Sequence, residues 1–184
     1  MTDQHYASKL RYIESKRLRL VAATNGLISE DLKGGQTLGI ALGVEVPGNW
    51  PPELYDRPAM EFASRQLQDS TQMGWSFWYL VKRLSSTDEL LGICGFKGRP
   101  DGAGSVEIGY SILSQFRSCG FASEAVSRLV YWAFGHAIVQ EVCAETLPHL
   151  RQSIRVLEKN GFLLTGRGSE RGVVRYAIQR SGLD

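Results

Sequence analysis

Arg117-Ser118-Cys119-Gly120-Phe121-Ala122-Ser123-Glu124-Ala125 decides the fold, because it joins two different periodicities. Upstream, Val106, Ile108, Tyr110 and Ile112 alternate with Glu107, Gly109 and Ser111, the period of a half-buried strand. Downstream, Ala122, Ala125, Val126, Leu129, Val130, Ala133 and Phe134 recur at the i, i+3, i+4, i+7 spacing of one helix face. The unit is a strand, a small-residue turn and a helix. The first amides of a helix lack intrahelical partners and carry the positive end of the macrodipole, so they bind an anion wherever no side chain obstructs them. Gly120 and Ala122 supply that clearance, and the turn reads as a cradle for a coenzyme carrying a pyrophosphate.

Two better-known phosphate loops do not fit. GxGxxG would need further glycines, and GxxxxGK followed by Ser or Thr would need a lysine directly after its last glycine. The pattern that does fit is Arg/Gln-x-x-Gly-x-Gly/Ala, filled by Arg117, Gly120 and Ala122. With EIGYSI before it and ASEA after it, the chain resembles the GNAT family of acetyl-CoA-dependent N-acetyltransferases. The likeness runs through most of the chain. Arg17-Leu18-Arg19-Leu20 resembles the first strand of the branch that includes the ribosomal-protein N-terminal acetyltransferases, and LLGICGFKG from Leu90 to Gly98 resembles its third. Ser153 to Phe162 is similar to the helix and Gly-Phe turn that flank the pantetheine arm in that family.

The resemblance implies an α+β, GNAT-like fold: a mixed, mostly antiparallel sheet of about seven strands with about four helices, splayed between strands four and five. Patterning alone predicts strands near 17–22, 77–83, 90–96, 105–113, 141–146, 162–166 and 173–180, and helices near 25–33, 59–69, 122–136 and 151–160. Between Gly34 and Pro58, five glycines and four prolines predict an ordered, irregular loop on the substrate side, with Trp50 and Tyr55 in it.

Length and charge narrow the function. At 184 residues the chain is expected to be one domain, 1–184, able to bury a core without disulfides or metal. A formal charge of +2, without clustered Lys and Arg, argues against a nucleic-acid platform. Cys94, Cys119 and Cys143 are odd in number and widely spaced, which predicts reduced thiols and no metal site. Asp3, Gln4, His5 and Lys9 precede any apolar run, so no signal peptide or membrane span is expected and the protein is expected to be cytoplasmic. A homodimer is compatible with this reading.

For the chemistry, an amine would attack the thioester of acetyl-CoA directly, which requires a coenzyme site, a base, an oxyanion donor and a partner for the leaving sulfur. The amides from Ser118 through Cys119, Gly120, Phe121 and Ala122 to Ser123 are the candidate pyrophosphate donors, with Arg117 adding charge. The resemblance implies that backbone groups at Ile112 and Leu113 face the pantetheine arm. Glu107, on the strand face opposite the apolar one, is the candidate base, acting through water, while Glu61 and Glu145 stay open as alternatives. Ser153 is the candidate partner of the thiolate by carry-over, and its plainer reading is a helix-start serine bonded to local backbone.

The chain departs from the family pattern where Leu150 replaces the usual Asn of an Asn-x-x-Ser run and where Leu157 stands in place of a frequent Tyr acid. These losses motivate the alternative of a non-catalytic acyl-CoA-binding or regulatory domain. Cys119 reads as a small turn residue, since direct transfer needs no nucleophile. His136 reads as a helix-end residue, and Trp75, Phe77, Trp78 and Tyr79 as core and strand-face aromatics.

Overall fold

The segment Phe77-Trp78-Tyr79-Leu80-Val81 is buried throughout, and period two sends its side chains to two separate cores. Trp78 and Leu80 join one apolar cluster, whereas Phe77, Tyr79 and Val81 join the other. A sheet buried on both faces writes its central strand as a continuous apolar run, and this is that strand. The computed structural model describes residues 11–83 and 86–182. Asp3, Gln4, His5 and Lys9, on which the expectation about the N-terminus rests, lie outside the described residues.

β1 (Tyr12–Glu14), β2 (Leu18–Ala22), β3 (Phe77–Lys82), β4 (Glu89–Phe96) and β5 (Ser105–Ile112) form an antiparallel meander. β6 (Glu141–Thr146) then pairs parallel to β5, and β7 (Leu163–Arg167) and β8 (Val174–Gln179) complete the order β1-β2-β3-β4-β5-β6-β8-β7. α1 (Asn25–Lys33), α2 (Gly35–Leu42) and α3 (Arg57–Gln66) supply Leu27, Ile28, Leu38, Met60 and Ala63 to one core. α4 (Phe121–Phe134) and α5 (Arg151–Lys159) supply Phe121, Ala125, Val126, Leu129, Ile154 and Leu157 to the other. Each predicted strand and helix has a counterpart, with ends displaced by a few residues.

Two elements exceed the expected count. β1 is a three-residue edge strand, too short to carry a period. α2 lies inside the segment expected to be irregular, so that expectation is corrected. Here the glycines punctuate a helix: Gly34 precedes it, and Gly43 closes it in the left-handed conformation at φ 68°. Gly39, inside the helix, lets the returning chain approach, since a Cβ there would lie 2.9 Å from the Val44 carbonyl oxygen. Fully buried Leu38 anchors the helix, and that packing overrides the poor propensity of its glycines.

The rest of that segment is tied down by a buried carboxylate. Asp31 of α1 accepts hydrogen bonds from Trp50 Nε1 at 2.7 Å, Tyr55 Oη at 2.9 Å and Tyr79 Oη at 3.0 Å, joining helix, loop and central strand. Tyr55 is 2% exposed and so belongs to the core instead of lining a substrate pocket. Among the described residues no helix is long and apolar enough to cross a membrane.

Burial raises the Asp31 carboxyl above its ordinary 3.8, against the pull of its three donors. The folded state therefore holds this proton more tightly than the unfolded chain. Its contribution to stability is complete below 3.8 and is lost as pH rises through the raised folded value. Urea titrations at several pH values should show Asp31→Asn, which cannot ionise, gaining on wild type across that interval. Asp31→Ala removes the shared acceptor of two buried phenols and a half-buried indole, at about 1–3 kcal/mol for each buried donor, and should lose about 2 kcal/mol or more below the ordinary carboxyl range.

Candidate active site

The cradle starts where β5 ends. A short 3-10 turn over Ser114–Phe116 leads to Arg117, then Ser118 at φ 60° and Gly120 at φ 82°, both left-handed. Gly120 is the N-cap of α4 and contributes no side-chain cap, and the first helical bond, from Glu124 N to the Gly120 carbonyl, is 3.1 Å. Among the described residues, none of the amides from Ser118 to Ser123 finds a protein acceptor. A run of amides alternating through positive φ forms a concave nest, and here it opens onto a helix N-terminus.

An acid in the first helical turn would normally compete for those amides. Glu124 is held elsewhere: it accepts from Ser15 Oγ at 2.7 Å, from the Arg17 amide at 2.9 Å and from Arg17 Nε at 2.7 Å. Burial pushes its carboxyl upward, but the bonds from Ser15 and Arg17 outweigh this and hold it below the ordinary value. Arg17 also donates from Nη1 to the Cys119 carbonyl at 3.0 Å, and its guanidinium lies 4.5 Å from the centre of the Phe121 ring. Arg17 is the residue that sequence reading missed. It sits in a strand motif more than a hundred positions from the turn, and only tertiary packing brings it there.

Arg117 takes a different place from the expected one. Its Nε donates to the Ile112 carbonyl at 3.0 Å and its Nη2 pairs with Glu53 Oε2 at 3.1 Å, so the side chain turns back along β5 toward the loop. Gln115 and Asn49 exchange two amide hydrogen bonds beside it. The loop is thereby fastened to the segment that follows β5.

The sheet opens at this point. β5 and β6 pair only at Ser105↔Glu141, Val106↔Val142 and Glu107↔Cys143, after which β5 stays with β4 and β6 with β8. The amide of Lys97 donates to the Glu107 carbonyl and that of Leu113 to the Leu91 carbonyl. Alternation along an antiparallel ladder then turns the backbone groups of Ile108, Tyr110 and Ile112 toward the opening. Leu113 does not face it, because its amide is bonded to β4 and its carbonyl accepts from Phe116.

The candidate catalytic side chains flank β5 on opposite faces. Glu107 stands at the vertex of the opening, paired with Lys97 at 2.5 Å, and the space over Gly109 on its face is clear, with nothing within 4 Å of a Cβ built there. Ser153 lies on the other face, its Oγ 3.1 Å from Tyr110 Oη. Glu145 is engaged by the Ser169 amide and hydroxyl, and those bonds hold its carboxyl low; Glu61 pairs with Arg57 on α3. Leu157 is fully buried, and His136 packs against Trp75 and Trp132. Cys119 is exposed in the turn.

Residues 44–163 match the family model of the acetyltransferase (GNAT) domain. The chain belongs to the GNAT acetyltransferase family. Among relatives of this GNAT chain, the uncharacterized N-acetyltransferase YjdG of Bacillus subtilis (strain 168) is 29% identical over 158 residues, covering 86% of this chain and 93% of the relative. The ribosomal-protein-S5-alanine acetyltransferase of Vibrio fischeri has a similar fold, with a TM-score of 0.64 at 14% identity, covering 95% of this chain and 99% of that one. The microcin C7 self-immunity acetyltransferase, solved with acetyl-CoA and AMP, reaches a TM-score of 0.61 at 13% identity, covering 90% of this chain and 93% of that one.

The free amides at a helix N-terminus are donors of the kind a pyrophosphate requires. Gly120→Val would force a β-branched residue into φ 82°, at about 1–2 kcal/mol of strain, and set its side chain beside Arg17 Nη2. Calorimetry should show CoA binding lost while the protein stays folded. Arg17→Ala frees Glu124 to turn onto the helix N-terminus and should weaken CoA about tenfold or more. Wild-type affinity in both variants would remove the turn from the coenzyme site.

Proposed function

We propose that residues 1–184 form one acetyltransferase domain that moves the acetyl group of acetyl-CoA to a primary amine, a protein N-terminus or a small molecule, by direct attack. The observation that carries this reading is the run of unpartnered amides from Ser118 to Ser123 beside the opening between β5 and β6. Acetyl-CoA, when bound, supplies the activated acetyl thioester.

The chain's own residues would share the remaining work. The nest holds phosphate oxygens, and the amides of Tyr110 and Ile112 on the free edge of β5 offer donors along the arm. The clear strip over Gly109 admits the acceptor from the Glu107 face. Glu107 takes the amine proton through water, exchanging its Lys97 partner for the new one. Ser153, on the opposite face, donates to the leaving sulfur. Placing base and sulfur partner on opposite faces of one strand suits a reaction whose two reactants meet across it. Free thiols at Cys94, Cys119 and Cys143 favour a reducing, cytoplasmic setting.

Release of free thiol from acetyl-CoA against a panel of amines and N-terminal peptides tests the proposal directly. CoA binding without turnover on any amine would favour a non-catalytic acyl-CoA-binding domain. With an accepted amine, Ser153→Ala should lower kcat by about 10- to 1000-fold with little change in acetyl-CoA affinity, because its bond strengthens only as charge gathers on sulfur. Glu107→Gln should flatten the rising alkaline limb of the pH–rate profile, and a retained limb would remove Glu107 as the base.

A further inference from the structure

Tyr110 reaches from β5 to α5 and meets Ser153 twice: its hydroxyl donates to the Ser153 carbonyl at 3.0 Å and lies 3.1 Å from Ser153 Oγ. A phenol has one proton, which constrains how these contacts are made. While the Tyr110 proton points to the Ser153 carbonyl, the contact between the hydroxyls needs the proton of Ser153 directed at Tyr110 Oη, away from the opening. If the phenol turns its proton to Ser153 Oγ instead, Oγ becomes an acceptor and its own proton is released outward. The two arrangements differ only by rotation of two hydroxyl groups.

We propose that Tyr110 is a positioning residue that aims the Ser153 hydroxyl at the leaving sulfur, the pair switching between these two arrangements; this rests on the reading of Ser153 given above. Negative charge on sulfur draws the Ser153 proton outward, and the phenol follows by donating to Oγ. A chain of two donors in series is more polarised than a lone serine. No covalent bond forms or breaks within the pair, and each oxygen keeps its own proton.

Acidity argues for hydrogen bonding here and against proton delivery. Burial pushes the Tyr110 phenol up to about 12, whereas an ordinary thiol ionises near ~8.5. Giving up the phenol proton to a thiolate is therefore uphill by several pH units. Cys94, the cross-strand partner of Tyr110 on β4, is the other titratable group acting on it, and burial keeps that thiol protonated. The pair stabilises the thiolate where it forms and leaves its protonation to solvent or to the amine's own proton.

The test combines kinetics with a binding measurement that needs no turnover. Tyr110→Phe removes one oxygen and should reduce kcat about tenfold at unchanged KM for acetyl-CoA. In the double variant with Ser153→Ala it should add no further loss, since an aim has no effect without the group it aims. Calorimetry of CoA against desulfo-CoA from pH 7 to 9 supplies the second readout. Wild type should come to favour CoA as its thiol ionises, Tyr110→Phe should show a smaller gain, and Ser153→Ala should show none.

If Ser153→Ala changes neither kcat nor the CoA preference, the reading of Ser153 itself fails. If Ser153→Ala slows the reaction but Tyr110→Phe is silent, or the two losses multiply in the double variant, Ser153 stands and the role of Tyr110 is overturned. Should Tyr110→Phe melt too early for kinetics, the binding comparison on Tyr110→Phe at low temperature decides in the same way.

Discussion

The pairing of β5 with β6 stops at Glu107↔Cys143, and the rest of the site follows from that interruption. A strand inside a sheet normally satisfies the backbone groups on both of its edges. Beyond Glu107, β5 has a ladder only on the β4 side, so the groups of Ile108, Tyr110 and Ile112 must look elsewhere. Arg117 satisfies the Ile112 carbonyl from within the chain. The remaining donors face the gap between β5 and β6, and the outgoing chain turns beside it into the amide nest. One missing ladder thus sets the exposed edge of β5.

The nest needs a second condition: something must keep protein carboxylates off it. Glu124 is the acid nearest to the start of α4, and it is fully occupied by Ser15 and by the backbone and side chain of Arg17. Arg17 therefore does two things at once. It neutralises an acid that would cap the helix, and it braces the Cys119 carbonyl on the outer side of the turn. Arg117, the cation expected at the turn, donates to β5 and pairs with the exposed Glu53.

Local chemistry was legible in the sequence, and long-range placement was not. The periods around Val106 and Ala125 located β5, α4 and the turn between them, because period depends only on neighbouring residues. α2 escaped because helix ends and loops use the same glycines, and only the packing of Leu38 and the close approach of Val44 separate the two cases. Arg17 escaped because its partners lie more than a hundred positions away. By period Tyr110 is one more apolar strand residue, which its ring is; the hydroxyl at its tip reaches a helix from a different part of the chain. Leu157, whose place in the family pattern suggested a lost acid, points into the core, so the departure there leaves the opening itself unaltered.

The Asp31 cluster bears on how such an enzyme can be altered. Trp50 and Tyr55 come from the loop, Asp31 from a helix before it and Tyr79 from a strand after it, and among the described residues the four polar groups find their partners in one another. The loop is therefore not a module. A loop of different length or composition grafted between Gly43 and Arg57 would leave the buried Asp31 carboxylate with Tyr79 as the one remaining donor of its three. Any exchange of this loop has to carry Asp31 and Tyr79 with it, so that the unit of exchange is a discontinuous patch of four residues and not a stretch of chain.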